Sequence, residues 1–286
     1  MLFRQYERPG TLKECSEMLR HYQDKGKLLA GGTDLVPQMR SGALEIEAVI
    51  DLAGVEGLNK IHRFGGNFEI GAMVRLRDLQ FDKRLTGAMA VLRKCAGHVS
   101  SIQVRNVATL GGNSCNASPS ADTVPGLLLL SAEVLTENKQ GERRIAIDKF
   151  FKGPGQTVLE SDEIVKGFLI PEPAENDFTA YFKYSIRGDS DISIIGVGVR
   201  LRLSEDKKIE EAAIALTSCA PTPIRIYEAE EMLKNQRCSL DLFEHVAEFC
   251  SEKCLPVSDQ RATAEYRKKM VKIWVKEVLE QALEVR

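Results

Sequence analysis

Two pairs of adjacent glycines constrain this chain more than any other feature of its sequence. The first lies in Leu28-Leu-Ala-Gly-Gly-Thr-Asp-Leu35, the second in Thr109-Leu-Gly-Gly-Asn113. Each follows an apolar stretch. Adjacent glycines can turn successive backbone N–H groups toward one point, with no Cβ to block a close approach, which makes an anion-binding concavity. Thr33, Thr109 and Asn113 add side-chain donors. One such pair alone reads as a tight turn. Two of them, each read at a strand end, could clamp a diphosphate without lysine or arginine and so point to a dinucleotide site. The site is not of the Rossmann type, because no GxGxxG follows the first strand. Gly196-Val-Gly198 lacks the third glycine and reads as a closely packed strand, and no P-loop is present.

The flanking pattern supplies a frame for these loops. Phe3 to Arg8 suits a short strand, and Thr11-Leu-Lys-Glu14 is a capping-box pattern ahead of Leu12, Cys15, Leu19 and Tyr22 at helical spacing. Lys27 to Ala30 and Ala48 to Leu52 read as buried strands, with a short helix from Leu35 to Arg40 between them. Such alternation predicts parallel pairing. From Leu58 the pattern changes to hairpins, Leu58–Phe64 with Phe68–Ala72 and Glu133–Thr136 with Arg144–Ile147, separated by a helix from Arg84 to Gly97. Pro171-Glu-Pro173 marks a break. Beyond it, strands are expected at Ala180–Ile186, Ile192–Leu203 and Ala212–Thr217, and helices at Arg225–Asn235, Leu240–Cys254 and Thr263–Ala282. In the last helix, Tyr266, Met270, Ile273, Trp274 and Val278 are expected to form the apolar face.

Composition narrows the function. At 43% hydrophobic and 28% charged residues the chain of 286 is globular rather than disordered. A formal net charge of -2 gives no pull toward nucleic acid or an anionic membrane. No run is long enough to cross a bilayer as a helix, and the first ten residues form no secretory core, so a cytoplasmic protein is expected. The seven cysteines are scattered without a CxxC pair, which argues against a disulfide framework or a metal cradle. Cys250 and Cys254 would share a helix face and read as small buried hydrophobes. The four histidines are isolated, and none is expected to act as a catalytic base.

Ala30 to Leu35, the run Gln103-Val-Arg-Asn-Val-Ala-Thr-Leu-Gly-Gly-Asn113, and Ala117-Ser-Pro-Ser-Ala-Asp122 together resemble the FAD-binding subunit of molybdenum hydroxylases. This is the medium chain of bacterial carbon monoxide, xanthine and nicotinate dehydrogenases and the central domain of xanthine oxidoreductase. The resemblance extends over nearly the whole chain, including Glu163 to Pro171 and Phe182-Lys183. It implies an α+β fold. An FAD-binding domain of the vanillyl-alcohol-oxidase/MurB-like type would span residues 1–173, with subdomains at 1–56 and 57–173, and a three-stranded antiparallel sheet with helices would span 174–286. It implies that Leu28, Leu29, Ala30, Gly31, Gly32, Thr33, Asp34 and Leu35, with Thr109, Gly111, Gly112 and Asn113, hold the FAD diphosphate. Cys115, Asp122, Val165 and Lys183 match further FAD-contact positions. Taken alone, Asp122 reads as a helix N-cap before Val124, and Lys183 as an exposed lysine on an alternating strand.

The resemblance assigns no catalytic residue and no metal to this chain. It implies a small [2Fe-2S] subunit and a large molybdopterin subunit as partners, a dimer of heterotrimers, and electron flow from partner clusters through FAD to NAD or another acceptor. Some relatives that reduce NAD carry an aromatic residue in the loop that here reads Gly153-Pro-Gly-Gln-Thr157, which lacks one. No cysteine-rich insert suggests an iron–sulfur cluster of the chain's own. Two rival readings are a stand-alone FAD oxidoreductase with its own substrate pocket, and a non-enzymatic interaction module in which the glycines only form turns. Flavin reduction by an organic substrate would mark the first, and failure to take up FAD the second.

Overall fold

The computed structural model describes residues 3–188 and 190–284. The chain begins with β1 (Gln5–Glu7), α1 (Leu12–Tyr22), β2 (Gly26–Leu29), α2 (Leu35–Arg40) and β3 (Ala48–Asp51). The strands pair in parallel in the order β1-β3-β2. Thr11 caps α1 as the sequence predicts: its hydroxyl accepts from the Glu14 N–H while the Glu14 carboxylate accepts from the Thr11 N–H. Cys15, Leu19, Ile50 and Leu52 form the core of this small unit.

Next come β4 (Ile61–Phe64) and β5 (Asn67–Gly71), whose turn glycines Gly65 and Gly66 both have positive φ. Five helices follow: α3 (Leu76–Phe81), α4 (Ala90–Gly97), α5 (Ile102–Arg105), α6 (Leu110–Cys115) and α7 (Val124–Leu129). Then come β6 (Glu133–Asn138), β7 (Gly141–Ala146), the two-stranded pair β8 (Phe151–Gly153) and β9 (Gln156–Thr157), and β10 (Ile164–Pro171). The main sheet is antiparallel in the order β4-β5-β10-β6-β7. α7 is apolar all round because it is buried all round, from Val124 to Leu129. The helix read from Arg84 is shorter than expected. Its first part is a 3₁₀ turn, Gly87–Met89, opened by Gly87 at φ 53°.

The last part holds β11 (Asp177–Tyr184), β12 (Ile195–Leu203), β13 (Ile209–Thr217), β14 (Ile224–Arg225), α8 (Tyr227–Leu233), α9 (Leu240–Lys253) and α10 (Ala264–Glu284). The sheet has four antiparallel strands, not three, because Ala215 and Leu216 pair with the two-residue β14. The buried face of α10 also differs from the expected stripe. Val271, Val275, Val278, Leu279 and Ala282 are fully buried, whereas Tyr266 and Ile273 are exposed. Trp274 stacks on Phe182 at the edge of the sheet, with ring centroids 3.7 Å apart. α7 packs against β12 and β13 and so joins this sheet to the preceding core.

Candidate functional site

A cleft of about 810 Å³ lies beside the first glycine loop, within the range of small-molecule and cofactor sites. The β2–α2 loop forms one wall and α6 the other. The end of β5 and β10 (Ala72, Met73, Ile164, Val165) also line it, as do Ala121 and Asp122 ahead of α7. Of the residues expected to contact a cofactor, all but Leu29 and Lys183 line this cleft. Gly155, in the Gly153–Thr157 loop where some relatives carry an aromatic residue, reaches it too, as do Ser190 to Ile192 ahead of β12, to which the sequence assigned no role.

The first glycine loop packs on the segment that leads into the second. A methyl group on Gly31 would overlap the Val107 carbonyl oxygen and lie 2.8 Å from Ala108 Cα, so only glycine lets the first loop rest on the segment leading into α6. Gly32 has φ +70°, a left-handed conformation that costs a side-chain-bearing residue energy. In the second pair, Gly111 lies against Ala72, whose carbonyl oxygen would be 2.8 Å from an added Cβ. Gly112 faces Thr109 Oγ1 and Ala30. Across the gap, Asn116 Nδ2 donates to Asp34 Oδ1 at 3.2 Å and ties the walls together.

The second pair is not at a strand end. It forms the first turn of α6, and Thr109 is the N-cap, its hydroxyl accepting from the Gly112 N–H at 3.0 Å. Its amides are engaged within the protein: Gly111 N–H donates to the Ala72 carbonyl and Asn113 N–H to that of Thr109. The expectation that both loops offer bare amides therefore fails for the second. The first loop keeps its donors. Among the described residues, no protein acceptor meets the N–H groups of Gly31, Gly32, Thr33 or Asp34. Asn113 Oδ1 accepts from Thr123 Oγ1 and N, which leaves the carboxamide Nδ2 as the group able to donate.

Asp122 is not a helix cap. The N-cap of α7 is Thr123, which makes no side-chain capping bond. Asp122 instead forms a buried ion pair with Lys183 on β11, with Nζ to Oδ2 at 2.8 Å, and accepts from Tyr181 Oη at 3.3 Å on its other oxygen. Lys183 also donates to the His98 carbonyl at 2.8 Å and is buried, not the exposed lysine its strand position suggests. Burial pushes the Asp122 carboxyl up to about 6, although the Lys183 charge and the bonds from Lys183 and Tyr181 oppose the rise. Cys115 lines the cleft half-buried. No group of three metal-ligating side chains occurs among the described residues, nor any helix long and apolar enough to cross a membrane.

A loop of unbonded amides held by a positive-φ glycine, beside a cleft of cofactor size in an α+β fold, marks a protein suited to an anionic ligand outside the Rossmann class. The comparisons with known proteins narrow that class. Residues 2–173 match the family described as FAD binding domain in molybdopterin dehydrogenase, and residues 180–282 the CO dehydrogenase flavoprotein C-terminal domain. The chain is 32% identical over 283 residues to the xanthine dehydrogenase FAD-binding subunit of Escherichia coli O157:H7, covering 98% of this chain and 96% of that one. It is 30% identical over 266 residues to the caffeine dehydrogenase subunit beta of Pseudomonas sp. (strain CBB1), covering 93% and 90%. Its fold superposes with a TM-score of 0.95 on carbon monoxide dehydrogenase from Hydrogenophaga pseudoflava, solved in a form lacking the Mo-pyranopterin moiety of the molybdenum cofactor. That pair is 29% identical, with 99% of this chain and 98% of that one covered. The chain belongs to the molybdenum hydroxylase family, as an FAD-binding subunit.

Proposed function

We propose that this chain is the electron-transfer subunit of a multi-subunit molybdenum hydroxylase. When bound, FAD takes electrons from iron–sulfur clusters of a partner and releases them to NAD or another external acceptor. The observation that carries the reading is the row of four unbonded N–H groups from Gly31 to Asp34, beside a cleft whose other wall is α6. These amides suit a diphosphate, and the donor set needs no arginine. Thr33 and the Asn113 carboxamide add donors, while Thr109 holds α6 in place. Asp122 accepts hydrogen bonds from the ribityl hydroxyls or a flavin N–H, and Lys183 acts on the cofactor through Asp122. Val165 and Cys115 supply apolar wall.

The division into residues 1–173, with subdomains 1–56 and 57–173, and 174–286 belongs to the same proposal. The partners are a small [2Fe-2S] subunit and a large molybdopterin subunit, two heterotrimers to the assembly, in the cytoplasm. Substrate hydroxylation belongs to the large partner. Relatives named for xanthine and for caffeine match nearly the full length of this chain, which supports placing substrate choice elsewhere.

Titration of the purified full chain with FAD tests the cofactor site, with retention expected for the parent and lost in Gly32→Val and Gly112→Val. Unchanged FAD occupancy in both variants sinks it. Reduction of the loaded chain by a [2Fe-2S] partner, but not by an organic substrate alone, tests the electron-transfer role. Direct reduction by such a substrate would replace it with the stand-alone oxidoreductase.

A further inference from the structure

β11 presents Tyr181 and Lys183 two residues apart, on one face of the strand. Together they grip both oxygens of Asp122, Tyr181 Oη on Oδ1 and Lys183 Nζ on Oδ2. Tyr181 is fully buried, and the His98 ring stands edge-on to it at 5.7 Å. A phenol buried at this depth needs a polar partner, and Asp122 provides one. We infer that Tyr181 is a positioning residue: its O–H holds the Asp122 carboxylate ionised and aimed into the cleft. It touches no part of the cleft itself.

Among the described residues, the groups facing Asp122 include Tyr181 and Lys183 from β11, Cys95 from α4, and His98 just beyond α4. Asp191, ahead of β12, acts on Lys183 from farther off. Of these, Tyr181 alone combines a direct bond with no charge of its own at neutral pH. Its loss therefore removes a donor to the ionised form without adding or deleting a charge, and the carboxyl must titrate at higher pH.

The inference rests on Asp122 facing FAD only for its consequence, so the first readout needs no cofactor. In the cofactor-free full chain, the carboxyl infrared band abolished by Asp122→Asn is titrated in the parent and in Tyr181→Phe. The parent midpoint is expected near 6. In Tyr181→Phe it moves up by about 0.5–1 pH unit. Phenylalanine keeps the ring, so a role in core packing alone leaves the midpoint where it was, and that result overturns the inference. The second readout is FAD affinity against pH. Its midpoint is expected to shift by the same amount in Tyr181→Phe and to show no such shift when Asp122→Asn is also present. A shift that survives in the double variant overturns the inference, because Tyr181 would then act on something other than Asp122. An infrared shift with a flat affinity profile supports the clamp and removes Asp122 from the FAD site.

Discussion

Gly31 and Gly32 are neighbours with different reasons to be glycine. Gly31 meets the Val107 carbonyl, so Gly31→Ala is expected to destabilise the fold by about 1–3 kcal/mol through overpacking, read in denaturant unfolding. Gly32 has no such backbone neighbour, and its φ of +70° governs the aim of the amides beside it. Gly32→Ala is expected to lose about 1–2 kcal/mol of stability and more of its FAD affinity than Gly31→Ala does. The reverse order of affinity would show that contact between the walls, not amide direction, makes the site. Asp122 gives a pH signature. Its carboxyl titrates higher in the folded chain than the usual carboxylate, so its contribution to stability is full below about pH 4 and is lost as pH rises through about 6. The stability of the parent minus that of Asp122→Asn should therefore fall by about 2–3 kcal/mol between pH 4 and pH 7. A difference independent of pH would contradict it.

At the scale of elements, α6 is the part the sequence hides best. Two glycines in its first turn weaken helix propensity, and Gly-Gly reads as a turn on local grounds. Thr109 reads in the sequence only as a side-chain donor; that its hydroxyl and the Ala72 carbonyl consume the amides of this turn is not legible, since no helix is written in these residues and Ala72 lies far away in sequence. Thr109→Ala is expected to cost about 1 kcal/mol in stability and to lower FAD affinity severalfold as α6 loosens, both measurable on the purified chain. Affinity unchanged at that cost would mean that α6 is only scaffold. By contrast, the α1 cap, the parallel unit and both hairpins were legible, because each is written in contiguous residues. β14 was not, since two residues carry no periodicity and only the partner strand β13 defines them.

The whole molecule explains Lys183 and Asp122. Alternation along β11 fixes which residues share a face, but not which face meets α4 and which α10. That depends on how the four-stranded sheet docks on the preceding core, where Gly198 lets β12 approach Leu129 and Pro125. A Cβ there would lie 2.9 Å from Leu129 Cδ1. Gly198→Val is expected to cost about 1–3 kcal/mol and to weaken FAD binding at a distance, by drawing Tyr181 and Lys183 back from Asp122. Normal affinity in a destabilised Gly198→Val chain would separate docking from the site.

Direct contact of Gly31 with the Val107–Ala108 main chain has one more consequence. At that point the first loop already lies on the main chain leading into α6, and the Asn116–Asp34 bond spans the gap beside it, so little closing of the two walls is expected on binding. Loaded and empty protein should show the same radius in small-angle scattering, much of the site's ordering cost having been met when the polypeptide folded.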